Sequence, residues 1–390
     1  MTLNVLMLST LFPDMSRPNF GVFVERQARE LSGRDGADVT VIAPVGLPPW
    51  PVSSLGRYAP LHALPRVERW KNLTVHRPVF RVIPGLSGRL NVTTMTRAIL
   101  PLVRRLHAQK PFDVIDASFF YPDGPVAQRL AKKLGIPYSV KARGADIHYW
   151  GKRRDTRKTV RKAADGAAGL LAVSAAMGRS MGEMGIDTDK IRVHYTGVDL
   201  DSFEVADRAE AKAALGFEGP VVLCVGALIP RKGQDLLVRA LTYLPDVTLL
   251  LAGQGQYRHV LEKLALDMGV ERRVGFLGAV PHHKLPKIYA AADVMALPSA
   301  SEGLANAWVE ALACGTPIVI SDVGGARELL DRPEAGAIVD RDPEAIANAI
   351  QTILSSPPDR HAVRAAALRF TWTANGDTLL EHLQGIAGRE

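Results

Sequence analysis

Short apolar runs alternate with longer amphipathic ones along nearly the whole chain. Residues 4–9 read as a first strand, and 23–31 carry apolar positions at helical spacing. A strand at 38–43 follows. A Pro-rich stretch at 47–51 then leads to an extended segment at 73–80. Residues 94–109 predict a helix with Ile99, Leu102 and Leu106 on one side. FDVIDAS, a helix over 125–134, PYSVKA, a strongly basic helix over about 153–164, GLLAVS, a short helix and IRVHYTG complete the first half. Strands rich in Val, Ile and Leu that alternate with helices predict a parallel sheet covered on both faces.

Between Asp199 and Pro220 the pattern breaks into a polar segment with its own short helix, and then the alternation resumes. Residues 221–225, VTLLLAG, RVGFLG, VMALPS, PIVIS and GAIVD read as strands. Residues 235–244 and 343–354 read as helices among those between them. The 390 residues exceed what one hydrophobic core spans. The pattern therefore predicts two doubly wound α/β domains, residues 1–204 and 205–375. A C-terminal helix at about 376–390 is expected to pack back on the first domain.

Composition narrows the class. With 47% hydrophobic and 23% charged residues, the chain is neither disordered nor fibrous. No apolar run is long enough to predict a spanning helix. The apolar N-terminus lacks a preceding basic region and reads as a strand, not a signal peptide. The two cysteines, Cys224 and Cys314, lie in apolar stretches, which excludes a disulfide scaffold and fits a reducing cytosol. Charge is uneven. Residues 1–200 hold 30 Lys+Arg against 16 Asp+Glu, and residues 201–390 hold 18 against 24. The basic half implies an anionic partner such as a membrane surface or a phosphorylated substrate. Nucleic acid is disfavoured, because no aromatic platform accompanies the basic residues.

Neither first strand is followed by G-x-G-x-x-G, and no G-x-x-x-x-G-K-[ST] occurs, so dehydrogenase and P-loop readings fall away. The most specific stretch is SEGLANAWVEALACGTPIVISDVGG, residues 301–325. Glu302 and Glu310 are eight positions apart. A helix beginning near Glu302 would set them roughly 12 Å apart along its axis and about 80° apart around it. That spacing suits a nucleotide-sugar diphosphate, one carboxylate at the sugar and the other at the ribose. The backbone N–H groups of Gly303, Leu304 and Ala305 would form an anion site at the helix start. Gly315-Thr316-Pro317 ends the helix, and Asp322-Val323-Gly324-Gly325 follows the next strand.

With these residues the chain resembles glycosyltransferase family 4, whose members are retaining enzymes of the GT-B fold. VGALIPRKGQDLLVRAL (225–241), LAGQGQYR (251–258) and VGFLGAVPHHKLPKIYAAADVMALPS (274–299) follow in the family's order. So do LFPDMSRPNFGVFVERQARELS (11–32), YPDGPVAQRLAKKLGIPYSVKARGADI (121–147) and LLAVS to GVDLDSF (170–203). The wording is similar to the bacterial surface-polysaccharide, teichuronic-acid-type branch. The resemblance implies two facing Rossmann-like domains with an interdomain cleft.

Residue roles follow by position. The resemblance implies that Glu302 holds the transferred sugar and Glu310 the ribose diol, and that Lys232 faces the leaving diphosphate. It further implies that Gly21 lets the backbone approach the donor phosphate and that the loop around Phe276–Gly278 holds the base. There are two departures. Gly226-Ala227 stands where many relatives carry Gly-Arg, so the second positive charge falls to Arg231. Arg143-Gly144-Ala145-Asp146 stands where relatives often have His first. Arg143 then has two open roles: binding acceptor or donor, or pairing structurally with Asp146.

The implied reaction is retaining transfer of a hexose-type sugar from a UDP- or GDP-sugar, which is a substrate and not a cofactor. No metal is assigned. Asp187-Thr188-Asp189 and Asp199-Leu200-Asp201 resemble D-x-D but read as caps or turns. The adjacent side chains of His282-His283 diverge. The acceptor is expected to be lipid-linked or a polysaccharide, at the cytoplasmic face of the membrane. Residues 51–100 hold eight Lys+Arg and one acid, and the segment 152–162 is denser. Other readings are a GT-B epimerase or hydrolase, a transferase with a small soluble acceptor, and a non-catalytic sugar-nucleotide binder.

Overall fold

The computed structural model describes residues 2–83, 85 and 87–389. It divides into two compact units, Met1–Gly197 with Trp372–Glu390, and Val198–Thr371. The strands of the first unit are β1 (Leu3–Leu8), β2 (Ala37–Ile42), β3 (Val45–Leu47), β4 (Val67–Trp70), β5 (Leu73–His76), β6 (Val79–Arg81), β7 (Val114–Ala117), β8 (Tyr138–Ala142), β9 (Gly169–Ala172) and β10 (Ile191–Val193). Eight of them form one sheet in the order β10-β9-β8-β7-β1-β2-β5-β4. All its pairs are parallel except β4 with β5. Strands β3 and β6 form a separate parallel ribbon.

The second unit holds β11 (Val221–Val225), β12 (Thr248–Ala252), β13 (Val274–Gly278), β14 (Val294–Leu297), β15 (Ile318–Ser321) and β16 (Gly336–Val339). They form a wholly parallel sheet in the order β13-β12-β11-β14-β15-β16. β7, β8, β9, β14 and β15 are buried at every residue. Helices cover both faces of such a sheet, so these strands are buried along their whole length and not at alternate residues. Asp116, Ser139 and Lys141 are the buried polar exceptions among mostly apolar side chains in β7 and β8.

Several boundaries differ from the sequence reading. The units divide after Gly197, not at 204. The Val198 N–H donates to the Phe370 carbonyl (2.8 Å) and Arg364 holds the Leu200 carbonyl (2.8 Å), which ties residues 198–203 to the second unit. The last helix begins at Trp372, not 376, and puts Leu379 and Leu383 in the core with Val24, Ala28 and Leu31. The basic helix covers only Arg157–Asp165, so Lys152, Arg153 and Arg154 precede it in turns. No described helix is long and apolar enough to cross a membrane.

His382 on that last helix is buried, and its Nε2 lies 2.8 Å from the Ser139 hydroxyl. Burial, with Arg192 nearby, lowers its pKa to about 4. The unfolded chain therefore takes the proton first, and this contribution to stability is lost as pH falls from 6.5 towards 4. At roughly pH 4.5 the loss is about 2–3 kcal/mol. Wild type should accordingly lose more Tm than His382→Gln between neutral pH and pH 4.5. Parallel losses in the two proteins would refute this.

Candidate functional site

In the second unit the chain order reverses between β11 and β14, and ligands of open α/β sheets bind beyond the carboxyl ends of strands at such a switch point. The loop after β11 ends in a 3₁₀ turn, Pro230–Lys232, closed by Gly233 at φ 72°. A Cβ at Gly233 would lie 2.4 Å from the Pro298 carbonyl oxygen, so only glycine fits there. The Ala300 N–H, in the loop after β14, donates to the Arg231 carbonyl (2.8 Å). These contacts join the two loops. Lys232 Nζ lies 2.5 Å from Glu302 Oε1. Arg231 Nη1 lies 3.5 Å from the same oxygen and also donates to the Ser301 carbonyl. A pair of cations from one loop thus converges on a nearly buried carboxylate from the other.

The helix carrying Glu310 starts at Asn306, not near Glu302. The expected amides of Gly303, Leu304 and Ala305 therefore lie in the preceding loop, and the axial spacing estimated for one continuous helix does not apply. The Gly324–Gly325 turn causes this. The Gly325 N–H donates to the Gly303 carbonyl (2.8 Å), and a Cβ at Gly324 would stand 2.4 Å from that carbonyl oxygen. Ala305 stays extended, at ψ 124°.

Glu310 has both carboxylate oxygens engaged. His282 Nε2 lies 2.9 Å from Oε1, and the Tyr289 hydroxyl donates to Oε2 (3.1 Å). Burial and the adjacent Glu310 charge raise the Tyr289 pKa well above its ordinary value, so the hydroxyl keeps its proton as a donor. The sequence reading did not find either partner. They lie 28 and 21 residues from Glu310, and only the fold brings them together. The local pattern, His282-His283, reads in sequence only as a metal pair whose side chains diverge, and it gives no pointer to Glu310. Phe276–Gly278, expected as a base-holding loop, are instead the last residues of strand β13, and the Arg258 guanidinium lies 5.1 Å above the Phe276 ring.

In the first unit the order reverses between β1 and β7. The loop after β1 ends at Gly21, φ 70°, where a Cβ would lie 2.5 Å from the Leu11 carbonyl oxygen. The Gly21 carbonyl accepts the Val24 N–H (2.8 Å), and the helix Val22–Ser32 starts there. Arg143 leaves β8 and donates to the Ser118 carbonyl (2.7 Å) and to Gln27 Oε1 (3.1 Å), with its guanidinium 4.7 Å above the Phe23 ring. Burial lowers its pKa to about 10 against the pull of Asp116, Asp146 and Asp123. Buried Asp146 accepts the backbone N–H groups of Arg143 (3.0 Å), Gly144 (2.7 Å) and Phe120 (3.1 Å). Asp146 thus shapes the loop through the main chain of Arg143, while the guanidinium joins the exit of β7 to the helix behind Gly21.

The D-x-D look-alikes act as turns. Asp187 accepts the Asp189 N–H (3.1 Å) and Asp199 the Ser202 N–H (3.3 Å). Among the described residues, no group of three or more His, Cys, Asp or Glu is placed to hold a metal ion.

Comparison with known proteins gives the family. The model described as Glycosyltransferase Family 4 matches residues 21–202, and that described as Glycosyl transferases group 1 matches residues 207–370. A GDP-mannose-dependent alpha-(1-6)-phosphatidylinositol monomannoside mannosyltransferase of Mycolicibacterium smegmatis is 37% identical over 48% of this chain and 55% of its own length. This chain therefore spans little more than half of that relative. A putative teichuronic acid biosynthesis glycosyltransferase, TuaC, of Bacillus subtilis is 28% identical over 89% of this chain and 88% of its own. Among solved structures, a sucrose-phosphate synthase from Thermosynechococcus elongatus has a TM-score of 0.82 at 23% identity, covering 99% of both chains. Anabaena HepE in complex with UDP and glucose has a TM-score of 0.76 at 24% identity, covering 98% and 99%. From the two family models, which match consecutive parts of the chain, and from the fold of these neighbours, the chain belongs to glycosyltransferase family 4 and has the GT-B fold.

Proposed function

We propose that the protein transfers a hexose-type sugar, with retention, from a UDP- or GDP-sugar to a lipid-linked or polysaccharide acceptor in cell-surface glycan synthesis. The observation that carries this reading is the convergence of Lys232 and Arg231 on Glu302 at the switch point. Such a group offers cations for a diphosphate and a carboxylate for sugar hydroxyls. In the transfer, the bond from the anomeric carbon to the diphosphate oxygen breaks as the acceptor oxygen bonds to the same face. The acceptor's proton passes to the leaving phosphate. Lys232 and Arg231 stabilise the charge that grows on the diphosphate, which is differential binding of the transition state. The names of the mannosyltransferase and teichuronic-acid relatives support a lipid or polysaccharide acceptor. The direct test is a donor panel with the product anomer assigned by NMR; an inverted anomer would refute retention.

Two further outcomes are expected. Activity should survive EDTA, because Lys232 and Arg231 meet the charge that a divalent ion would otherwise neutralise. Loss in EDTA that Mg²⁺ or Mn²⁺ restores would contradict this. Glu310→Gln should raise donor KM more than it lowers kcat, since a ribose contact equal in ground and transition states contributes uniform binding. A fall in kcat at unchanged KM would remove Glu310 from the ribose. The uneven charge of the first unit supports peripheral contact with an anionic membrane at the cytoplasmic face.

A further inference from the structure

The ribbon of β3 and β6 ends in an apolar tip. Parallel pairing sends both strands out at one end, where the Val82 N–H donates to the Leu47 carbonyl (2.9 Å). The chain leaving β3 reaches Trp50, Val52 and Leu55, and the chain leaving β6 reaches Ile83. Their exposures are 81%, 45%, 62% and 38%. The segment is ordered. The Ser53, Ser54 and Leu55 N–H groups donate to the carbonyls of Pro49, Pro51 and Val52, and its inward side packs Leu61, Leu64 and Tyr58 against Val45, Leu47 and Val79. The segment thus has an apolar cluster of its own, yet Trp50, Val52 and Leu55 face away from it. Apolar side chains grouped in an ordered surface segment mark a contact site.

The surrounding charge selects the occupant. Residues 39–112 contain eleven Lys+Arg and one acid, Glu68. Arg77 is buried against Glu68, and Lys71 and Lys110 pair with Glu25 and Asp38, which leaves a net basic remainder that includes Arg81. Arg81 leaves the ribbon directly beside Leu47 and is exposed. A tryptophan with aliphatic neighbours on a basic surface matches the boundary between headgroups and acyl chains of an anionic bilayer. We infer that Trp50, Val52 and Leu55 insert into the anionic leaflet and that the basic surface of residues 39–112 holds them there. This rests on the peripheral location proposed above and adds the point of insertion.

Trp50 also reports on itself, because the other four tryptophans are buried or half-buried. The full chain is mixed with vesicles of phosphatidylcholine alone or with phosphatidylglycerol added. With the anionic vesicles, tryptophan emission should shift to the blue and brominated acyl chains should quench it. Trp50→Phe should still sediment with the vesicles but lose the shift. Trp50→Ser/Leu55→Ser, exposed positions whose Tm should be unchanged, should weaken partition by about tenfold or more. If wild type binds the vesicles with no shift or quenching, the inserted tip is refuted and the location stands. If wild type does not bind anionic vesicles at low salt, the location is refuted as well. Self-association of wild type that the double variant abolishes would make the tip a contact between copies and overturn the inference.

Discussion

Replacing Lys232 by alanine is expected to lower kcat by on the order of 10²-fold or more, comparable to the loss of one oxyanion-hole donor. The position of Nζ underlies this magnitude. It lies 2.5 Å from Glu302 Oε1, and both side chains are largely buried, where a fixed charge acts more strongly than in bulk solvent. The charge that Lys232 meets in the proposed transfer grows only as the glycosidic bond breaks, so the loss should fall on kcat and leave donor KM less affected. Arg231 remains beside Glu302 in the variant, so the carboxylate keeps one cation and the fold should persist. An unchanged Tm would establish this. Activity of Lys232→Ala within about threefold of wild type would place the leaving-group charge elsewhere.

The sequence specified the fold more completely than the site. Buried strands such as β9 and β14 are apolar throughout, and the helices between them carry apolar positions at their own period, so a doubly wound architecture was legible in both halves. Glycines with positive φ marked the loops, because Gly21 and Gly233 lie against carbonyl oxygens where no Cβ fits. The start of the Glu310 helix was not legible. A hydrogen bond to Gly325, more than twenty residues away, holds Gly303 outside it, and helix propensity carries no record of that contact. His282 and Tyr289 were missed for a similar reason. Tyr289 lies on the helix Leu285–Ala291 and His282 in the turn just before it. β14 follows along the chain, and the two reach Glu310 because that helix packs in space against the helix Asn306–Ala313. Arg143 was left with two roles because sequence does not show that Asp146 accepts backbone N–H groups while the guanidinium reaches Gln27.

Neutralising Lys152, Arg157, Lys158 and Arg161 together is expected to weaken binding to anionic vesicles by about 10²–10³-fold, since each cation near an anionic leaflet contributes about 1 kcal/mol. The four side chains line one cavity of roughly 550 Å³, with Gly151, Glu183 and Met184. All four are exposed, while Val160, Ala163 and Ala164 turn the other face of the helix Arg157–Asp165 into the core. Their replacement by glutamine should therefore leave the fold intact. Arg153 belongs to the same basic run but contributes less. Its guanidinium is paired with Asp155 (2.8 Å) and lies over the Tyr149 and Trp150 rings, so part of its charge is already neutralised. Arg154 and Lys162 are exposed and stay as a residual basic surface, so the variant should retain weak binding. Wild-type binding should fall steeply as salt rises, because screening shortens the reach of each charge to a few ångströms. Sedimentation with neutral and anionic vesicles at low and high salt measures both effects. Equal binding of wild type and the four-site variant to anionic vesicles at low salt would leave this helix as a solvated face and assign the membrane contact to other residues of the first unit.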